Sequence, residues 1–297
     1  MSIQEFLQHM ANGTSLGSLY ALIAIGYTLV YGILRLINFA HGEIFMLGAY
    51  IAYYGIIFTP LPWWLVFILA SVLTGLVGLL LEKLAYKPLR SSPRITILIS
   101  AIGASFLLQN LSILVFGGRP KAFPSPDILN GILNIRGVSV ASISIIIPIV
   151  TIILLVILTF LIKKTKTGMA MRALSKDYEA ASLMGIDINK VISFTFFIGS
   201  FLAAVGGIMW GVKYPQLVPH MGMMPGLKCF IAAVIGGIGN ITGAVIGGFI
   251  LGLGEIMLIA FLPTLTGYRD AFAFILLIVI LLIKPTGLMG EKIAEKV

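Results

Sequence analysis

Long apolar runs separated by short polar joints dominate this chain of 297 residues. A helix of about 20 apolar residues spans the roughly 30 Å hydrocarbon core of a bilayer. Inside lipid every backbone N–H and C=O must find its partner within the segment or a closed barrel. Barrel strands alternate apolar and polar residues, and runs such as 63–81, 143–162 and 272–283 do not. The chain is therefore predicted to be all-α, a polytopic membrane helix bundle of about 8–10 transmembrane segments. Spans are expected near 13–33, 38–58, 63–82, 95–116, 142–162, 191–212, 226–238, 241–262 and 271–283. The seventh and ninth are short for a full crossing.

Composition leaves no room for a second, water-soluble unit. Hydrophobic residues make up 59% of the chain and charged ones 10%, against about 25% charged in soluble proteins. One integral membrane domain over 1–297 is expected. The net charge of +9 does not indicate nucleic acid, because the basic residues cluster at span ends rather than in a stripe with interleaved aromatics. Cys229 is the single cysteine, which rules out an intrachain disulfide or a Cys-based zinc cluster. Residues 1–12 carry Glu5 and no Lys or Arg. No small-residue cleavage site follows, so the first apolar run is kept as a span.

Basic residues set an orientation. The joints 82–94 and 163–190 and the tail with Lys284, Lys292 and Lys296, together with Arg35, hold fourteen of the 20 Lys and Arg. Arg119, Lys121, Arg136, Lys213, Lys228 and Arg269 fall on the other side. The richer side is expected to be cytoplasmic, with nine spans, the N-terminus outside and the C-terminus inside. The outer loop 117–141 is rich in Gly, Pro and Asn, which argues against a regular helix. The inner loop 163–190 has helical character, with Gly168 and Gly185 as its expected brackets.

Small residues recur at spacings of four in Gly199, Ala203, Gly207 and Gly211, and in Gly239, Gly243 and Gly247, with Gly248 and Gly252 on an adjacent stripe. Such stripes let helix backbones approach closely, either for packing within one subunit or for sliding during transport. Asn38-Phe-Ala-His-Gly42 and Gly239-Asn240-Ile-Thr-Gly243 each open a span of the same direction. That is the pattern of a two-half internal repeat, or a coincidence of two short polar entries.

Ionisable residues within spans face the bundle interior or a cavity. Asn38 is expected to cap the second span and Glu43 to gain from the helix dipole. His41 and Glu43 stand two apart and do not face each other. Glu255, in the outer half of the eighth span, needs a partner; Arg269 in the loop before the ninth span is the expected one, with a structural or gating role for Glu255. Gln109 and Asn110 are expected to bond across helices. No catalytic motif is found, no phosphate loop, and no metal-ligand spacing among His9, His41 and His220. Neither an enzyme nor a cofactor is expected, and any ATP must be hydrolysed by another protein.

The inner loop reads Gly168-Met-Ala-Met-Arg-Ala-Leu-Ser-Lys-Asp-Tyr-Glu179-Ala180-Ala181-Ser-Leu-Met-Gly185. Its Glu-Ala-Ala-x-x-x-Gly string resembles the coupling loop of ABC-importer permeases, in which a short helix docks into a cleft on the ATPase. Asn12-Gly-x-x-x-Gly17-Ser-x-Tyr20, Gly26-Tyr-Thr-Leu-x-Tyr-Gly32, Ile37-Asn-Phe-Ala-His-Gly-Glu43, Gly236-Gly-Ile-Gly-Asn-Ile-Thr-Gly243 and Lys284-Pro-Thr-Gly-Leu288 resemble the LivH-type permeases of branched-chain amino-acid importers. The resemblance covers residues from about 10 to 290.

The resemblance implies a subunit of a bacterial inner-membrane importer moving branched-chain or other hydrophobic amino acids. Its implied partners are a second related permease of the LivM type, two cytoplasmic ATPases, an extracytoplasmic substrate-binding protein and membrane lipid. The coupling element implied is 172–187, with Arg172, Asp177, Glu179, Ala180, Ala181 and Gly185. Spans opening at Asn38 and Asn240 are expected to flank the substrate path, with Phe39, His41, Glu43, Phe45 and Thr242. The alternatives are a self-sufficient ion-coupled carrier, which would use His41, Glu43 or Glu255 as coupling groups, and a related ABC permease for urea or short amides.

Overall fold

The computed structural model describes residues 2–135 and 138–290. The expected basic residues Arg136, Lys292 and Lys296 lie outside the described residues. Among the described residues twelve α-helices follow one another: α1 (Ile3–Leu34), α2 (His41–Phe58), α3 (Trp63–Leu81), α4 (Arg94–Phe116), α5 (Asp127–Asn130), α6 (Ser142–Lys164), α7 (Lys166–Lys176), α8 (Tyr178–Leu183), α9 (Ile188–Lys213), α10 (Met223–Gly236), α11 (Ile241–Phe261) and α12 (Arg269–Ile283). A π-helical turn and a 3-10 turn carry α3 on to Leu89.

Seven helical stretches among the described residues are long and apolar enough to cross a membrane: α1, α3 with its continuation, α4, α6, α9, α11, and α12 with the 3-10 turn before it. The other two expected spans are shorter. α2 has 18 residues, with Glu43 in its first turn. α10 has 14 residues, a rise of about 21 Å at 1.5 Å per residue. The first span is longer than expected, at 32 residues. The cause is local. Ser2 and Glu5 form a capping box, Ser2 Oγ accepting from Glu5 N and Glu5 accepting from Ser2 N, so the helix starts ten residues before the apolar run.

The expectation of no regular helix over 117–141 holds apart from the four-residue α5, and short strands take up much of the segment. The short strand β1 (Lys121–Ala122) pairs antiparallel with β4 (Gln216–Leu217), and β2 (Ile132–Ile135) forms an antiparallel hairpin with β3 (Val138–Ala141). The β1–β4 pair ties the loop to the chain just beyond α9.

α1 is the centre of the bundle, apolar all round and buried along most of its length, whereas α4, α6 and α12 are largely exposed. That difference suits a helix wrapped by others against helices open to lipid. α1 packs most extensively against α11, then against α9, and then equally against α10 and α6. The two glycine stripes of α11 face different neighbours. Gly243 and Gly247 lie against Gly236 and Ala232 of α10, and Gly248 and Gly252 against Ala21 and Gly17 of α1. The small-residue seams are thus filled within the chain. A Cβ at position 252 would run into the backbone of Leu16 and Gly17. Gly252→Val is expected to destabilise the bundle by about 1–3 kcal/mol through overpacking, read as a lower unfolding temperature in detergent.

The basic joints gather at one end. Tyr86 and Arg90 of the 82–94 joint reach Asn38 and Asn189. Leu288 N and Met289 N donate to Ile235 O and Gly236 O, which places the segment after α12 beside the α10–α11 turn. At the opposite end Lys213 Nζ donates to Ser15 Oγ at 2.6 Å.

Candidate functional site

α1 ends at Arg35, a left-handed cap with φ 52, and the chain re-enters the protein before α2. The expected cap is corrected here. The N-cap position of α2 is Ala40, with no side-chain cap. Asn38 Oδ1 instead accepts from Tyr86 Oη at 2.7 Å, and its Nδ2 has no hydrogen-bond partner among the described residues. His41 is buried against Tyr27, ring centroids 4.4 Å apart, with Nε2 3.2 Å from Ile23 O. Gly26 leaves the space for this ring. Glu43 is buried too; Oε1 accepts from Ser105 Oγ at 3.4 Å, and Oε2 has no partner among the described residues. His41 and Glu43 are thus held by different neighbours.

Phe39 lies 6.3 Å from Phe230, and Phe45 meets Trp210 edge-on at 5.9 Å. The α2 entry is closed by backbone: Gly42 abuts Gly222 and Gly226 at the start of α10.

The two polar-glycine entries differ in structure. Asn240 does cap its helix, Oδ1 accepting from Gly243 N at 3.0 Å, while Nδ2 donates to Met289 O at 3.0 Å. Thr242 is exposed. Between the entries lies a void of about 10 Å³ lined by Tyr27, Tyr31, Ile37, Phe230, Ala233 and Ile238. That is room for about one water.

At the other end stands a buried charge cluster. Glu255 is fully buried. Oε2 accepts from Arg269 Nε at 2.6 Å, Oε1 pairs with Lys228 Nζ at 3.0 Å, and Tyr20 Oη donates to it at 3.2 Å. Lys228, also buried, reaches Asp270 Oδ1 at 2.7 Å. Arg269 is the expected partner. Lys228 and Tyr20 were not foreseen, since nothing along the sequence brings α10 and α1 to α11. The cluster borders a cavity of about 320 Å³ lined by Tyr20, Trp210, Met224, Pro225, Lys228, Thr266, Gly267, Arg269 and Asp270. Small-molecule sites begin at roughly 300 Å³.

The inner loop forms two helices, not one bracketed segment. Gly168 lies inside α7, which is capped by Thr165 accepting from Gly168 N at 3.0 Å. Asp177 separates α7 from α8 and accepts from Glu179 N and Ala180 N, each at 3.0 Å. Gly185, with φ +79, follows α8 as expected. Ala181 is turned inward and buried, whereas Arg172, Tyr178, Glu179, Ala180, Leu183 and Met184 are exposed. Leu183 is 88% and Met184 82% exposed, an apolar tip open to a partner.

Behind this tip, Asp187 caps α9 by accepting from Lys190 N at 3.1 Å, which holds its carboxyl below the usual range. A further buried carboxylate, Glu82, accepts from Arg90 Nη2, and from Ser193 Oγ at 2.7 Å. Arg90 Nη1 donates to Asn189 Oδ1 at 2.8 Å. Asn110, expected to bond across helices, donates to Phe106 O in its own helix and is exposed.

Residues 9–281 match the family model described as branched-chain amino acid transport system / permease component. The chain belongs to this permease family. The high-affinity branched-chain amino acid transport system permease protein LivH of Escherichia coli K12 is 45% identical, over 98% of this chain and 98% of that protein. The corresponding permease protein BraD of Pseudomonas aeruginosa is 42% identical over 99% of each. The ribose import permease protein RbsC of Haemophilus influenzae is 25% identical over 79% of this chain and 72% of that protein. No solved structure matches the chain. Within the family frame, the buried Glu255 and Glu82 clusters mark the two ends of the permease.

Proposed function

We propose that this chain is the transmembrane permease subunit of an ABC importer that moves branched-chain or other hydrophobic amino acids into the cytoplasm, driven by ATP hydrolysis in partner subunits. The observation that carries the reading is the full-length match to LivH at 45% identity. The assembly comprises a second permease of the LivM type, two cytoplasmic ATPases and an extracytoplasmic binding protein, in the inner membrane. The whole chain acts as one permease domain, N-terminus outside and C-terminus inside, with the basic end in the cytoplasm. The largely exposed α4, α6 and α12 face lipid or the second permease.

The substrate path follows the seam between α1 and α10. The larger cavity and the small void sit along these two helices, at Tyr20 and at Tyr27 and Tyr31 of α1. Gly226, next to Pro225 of the cavity and against Tyr27 Oη, meets Gly42. This backbone contact is the closed gate between them. Asn38, Phe39, His41, Glu43 and Phe45 flank it, and Asn240 and Thr242 stand at the cytoplasmic mouth. Cysteine scanning of 38–49 and 239–250 with a water-soluble thiol reagent, after Cys229→Ser, is expected to label positions in both stretches in a nucleotide-dependent way. Labelling in neither, whatever the nucleotide, places the path elsewhere.

The coupling element 172–187 docks on the ATPase through Tyr178, Glu179, Ala180, Leu183 and Met184, with Arg172 on its flank and Asp177 and Gly185 shaping the turn. Ala181 contributes from within, by letting α8 lie close to α7. Ala180→Trp adds bulk to the exposed face and is expected to weaken ATPase copurification about tenfold, equivalent to about 1.4 kcal/mol, with the fold intact. Full copurification and full uptake in this variant would remove the docking assignment.

Glu255 is structural or gating, not a proton carrier. Glu255→Gln is expected to slow uptake while leaving the ATP consumed per substrate unchanged. A pH-gradient requirement present in the parent and lost in this variant would contradict that role and the ABC reading.

A further inference from the structure

The cavity beside Glu255 combines three features in one place: buried fixed charge, an aromatic wall and space. Its formal charges balance, with Lys228 and Arg269 against Glu255 and Asp270. The groups differ in how far each is already engaged. Glu255 is fully buried and receives Tyr20, Lys228 and Arg269. Lys228 is enclosed between two carboxylates. Arg269 is 30% exposed, holds Glu255 through Nε and lines the cavity, and its guanidinium carries more donors than that bond uses. Asp270 is 54% exposed and holds Lys228 through Oδ1, which leaves Oδ2. Adjacent residues at the start of α12 thus offer a cationic fork and a carboxylate oxygen side by side. Trp210, Met224 and Pro225 line the same space without charge.

We infer that this cavity is the entry site for a zwitterionic α-amino acid, taking the carboxylate on Arg269, the ammonium on Asp270 and the aliphatic side chain against Trp210 and Met224. Lys228 and Glu255 are positioning residues that hold the pair from beneath. The inference rests on the importer reading and deepens it, giving the permease a headgroup filter of its own. Trp210 leads inward, since its indole meets Phe45 of α2. An apolar acid without an ammonium, or an amine without a carboxylate, leaves one of the charged groups unmatched and binds more weakly.

The test uses the full permease–ATPase complex in proteoliposomes without the binding protein, carrying Met224→Cys in a Cys229→Ser background. Labelling by a water-soluble thiol reagent is followed with and without leucine. At a leucine concentration about twice its dissociation constant, labelling is expected to slow about threefold, the factor 1 + [L]/Kd. 4-Methylpentanoate, which lacks the ammonium, and isopentylamine, which lacks the carboxylate, are expected to protect far less. Asp270→Asn should raise the half-protecting leucine concentration about tenfold, or about 1.4 kcal/mol, and Asp270→Glu should restore it.

Thr266→Cys at the rim gives a second reporter should Met224→Cys assemble poorly. A complex that takes up leucine with its binding protein, yet shows no leucine protection at either reporter, overturns the entry site and leaves the importer reading standing. Equal protection by the three compounds overturns the headgroup assignment. A complex that takes up no hydrophobic amino acid contradicts the importer reading itself.

Discussion

Glu255→Leu is expected to be among the most damaging single substitutions in this permease, costing about 3–5 kcal/mol. The carboxylate is the hub of the cluster at the α10–α11–α12 junction, receiving Tyr20, Lys228 and Arg269. Without it, Lys228 stays buried with Asp270 as its one carboxylate, and Arg269 loses the acceptor of Nε. A buried charge left without its partner is far more costly than the pair itself. The double variant Glu255→Leu/Lys228→Met should therefore be more stable than Glu255→Leu alone, although it carries one more substitution. Glu255→Gln keeps the shape and an acceptor, and its loss should be smaller. Thermal unfolding of the detergent-solubilised chain ranks the three. A double variant less stable than the single would show that packing, not charge pairing, holds the junction.

Arg90→Met is expected to act at the other end with a similar magnitude, about 3–5 kcal/mol, and with a functional signature. Glu82 is fully buried at the π-helical turn after α3, and Arg90 ties it to Asn189 at the start of α9. Tyr86 in the same turn holds Asn38 before α2 and packs on Phe196 of α9. The joint therefore connects the foot of the coupling segment with the entry of the proposed path. Loosening it should raise the ATP hydrolysed per amino acid moved as well as lower the unfolding temperature. Arg90→Lys keeps the charge but not the two-pronged geometry, and should recover only part of the loss. A stable Arg90→Met complex with unchanged ATP per substrate would separate this joint from coupling.

Much of the architecture was legible because lipid imposes a coarse rule: apolar runs become helices. The end of α1 was less so. The run starts near residue 13, but a Ser-x-x-Glu capping box starts the helix at Ile3. The hairpin within 117–141 was obscured by its prolines and glycines, although Val138–Ala141 alternates buried and exposed as a strand does. The site was legible where a residue's own environment is unusual. Glu255 stood out as a carboxylate in an apolar helix, and its pairing with Arg269 follows from a short loop. Lys228 has the look of one more span-end charge, because its meeting with Glu255 depends on the α10–α11 hairpin. Asn38 has the chemistry of a cap, yet Tyr86, 48 residues away, engages it instead. Ala181 has the look of a docking contact in a helical string, but the way α8 folds against α7 turns it inward.

This chain is expected to transport only as part of an ATP-driven complex. The most direct test is amino-acid uptake into proteoliposomes holding the chain with its partner permease and ATPases, with binding protein outside and ATP inside. Uptake of leucine, isoleucine or valine is expected to require ATP, the ATPases and the binding protein, and to persist when proton and sodium gradients are collapsed. Gradient-driven uptake by this chain alone, without ATP or partners, would contradict it.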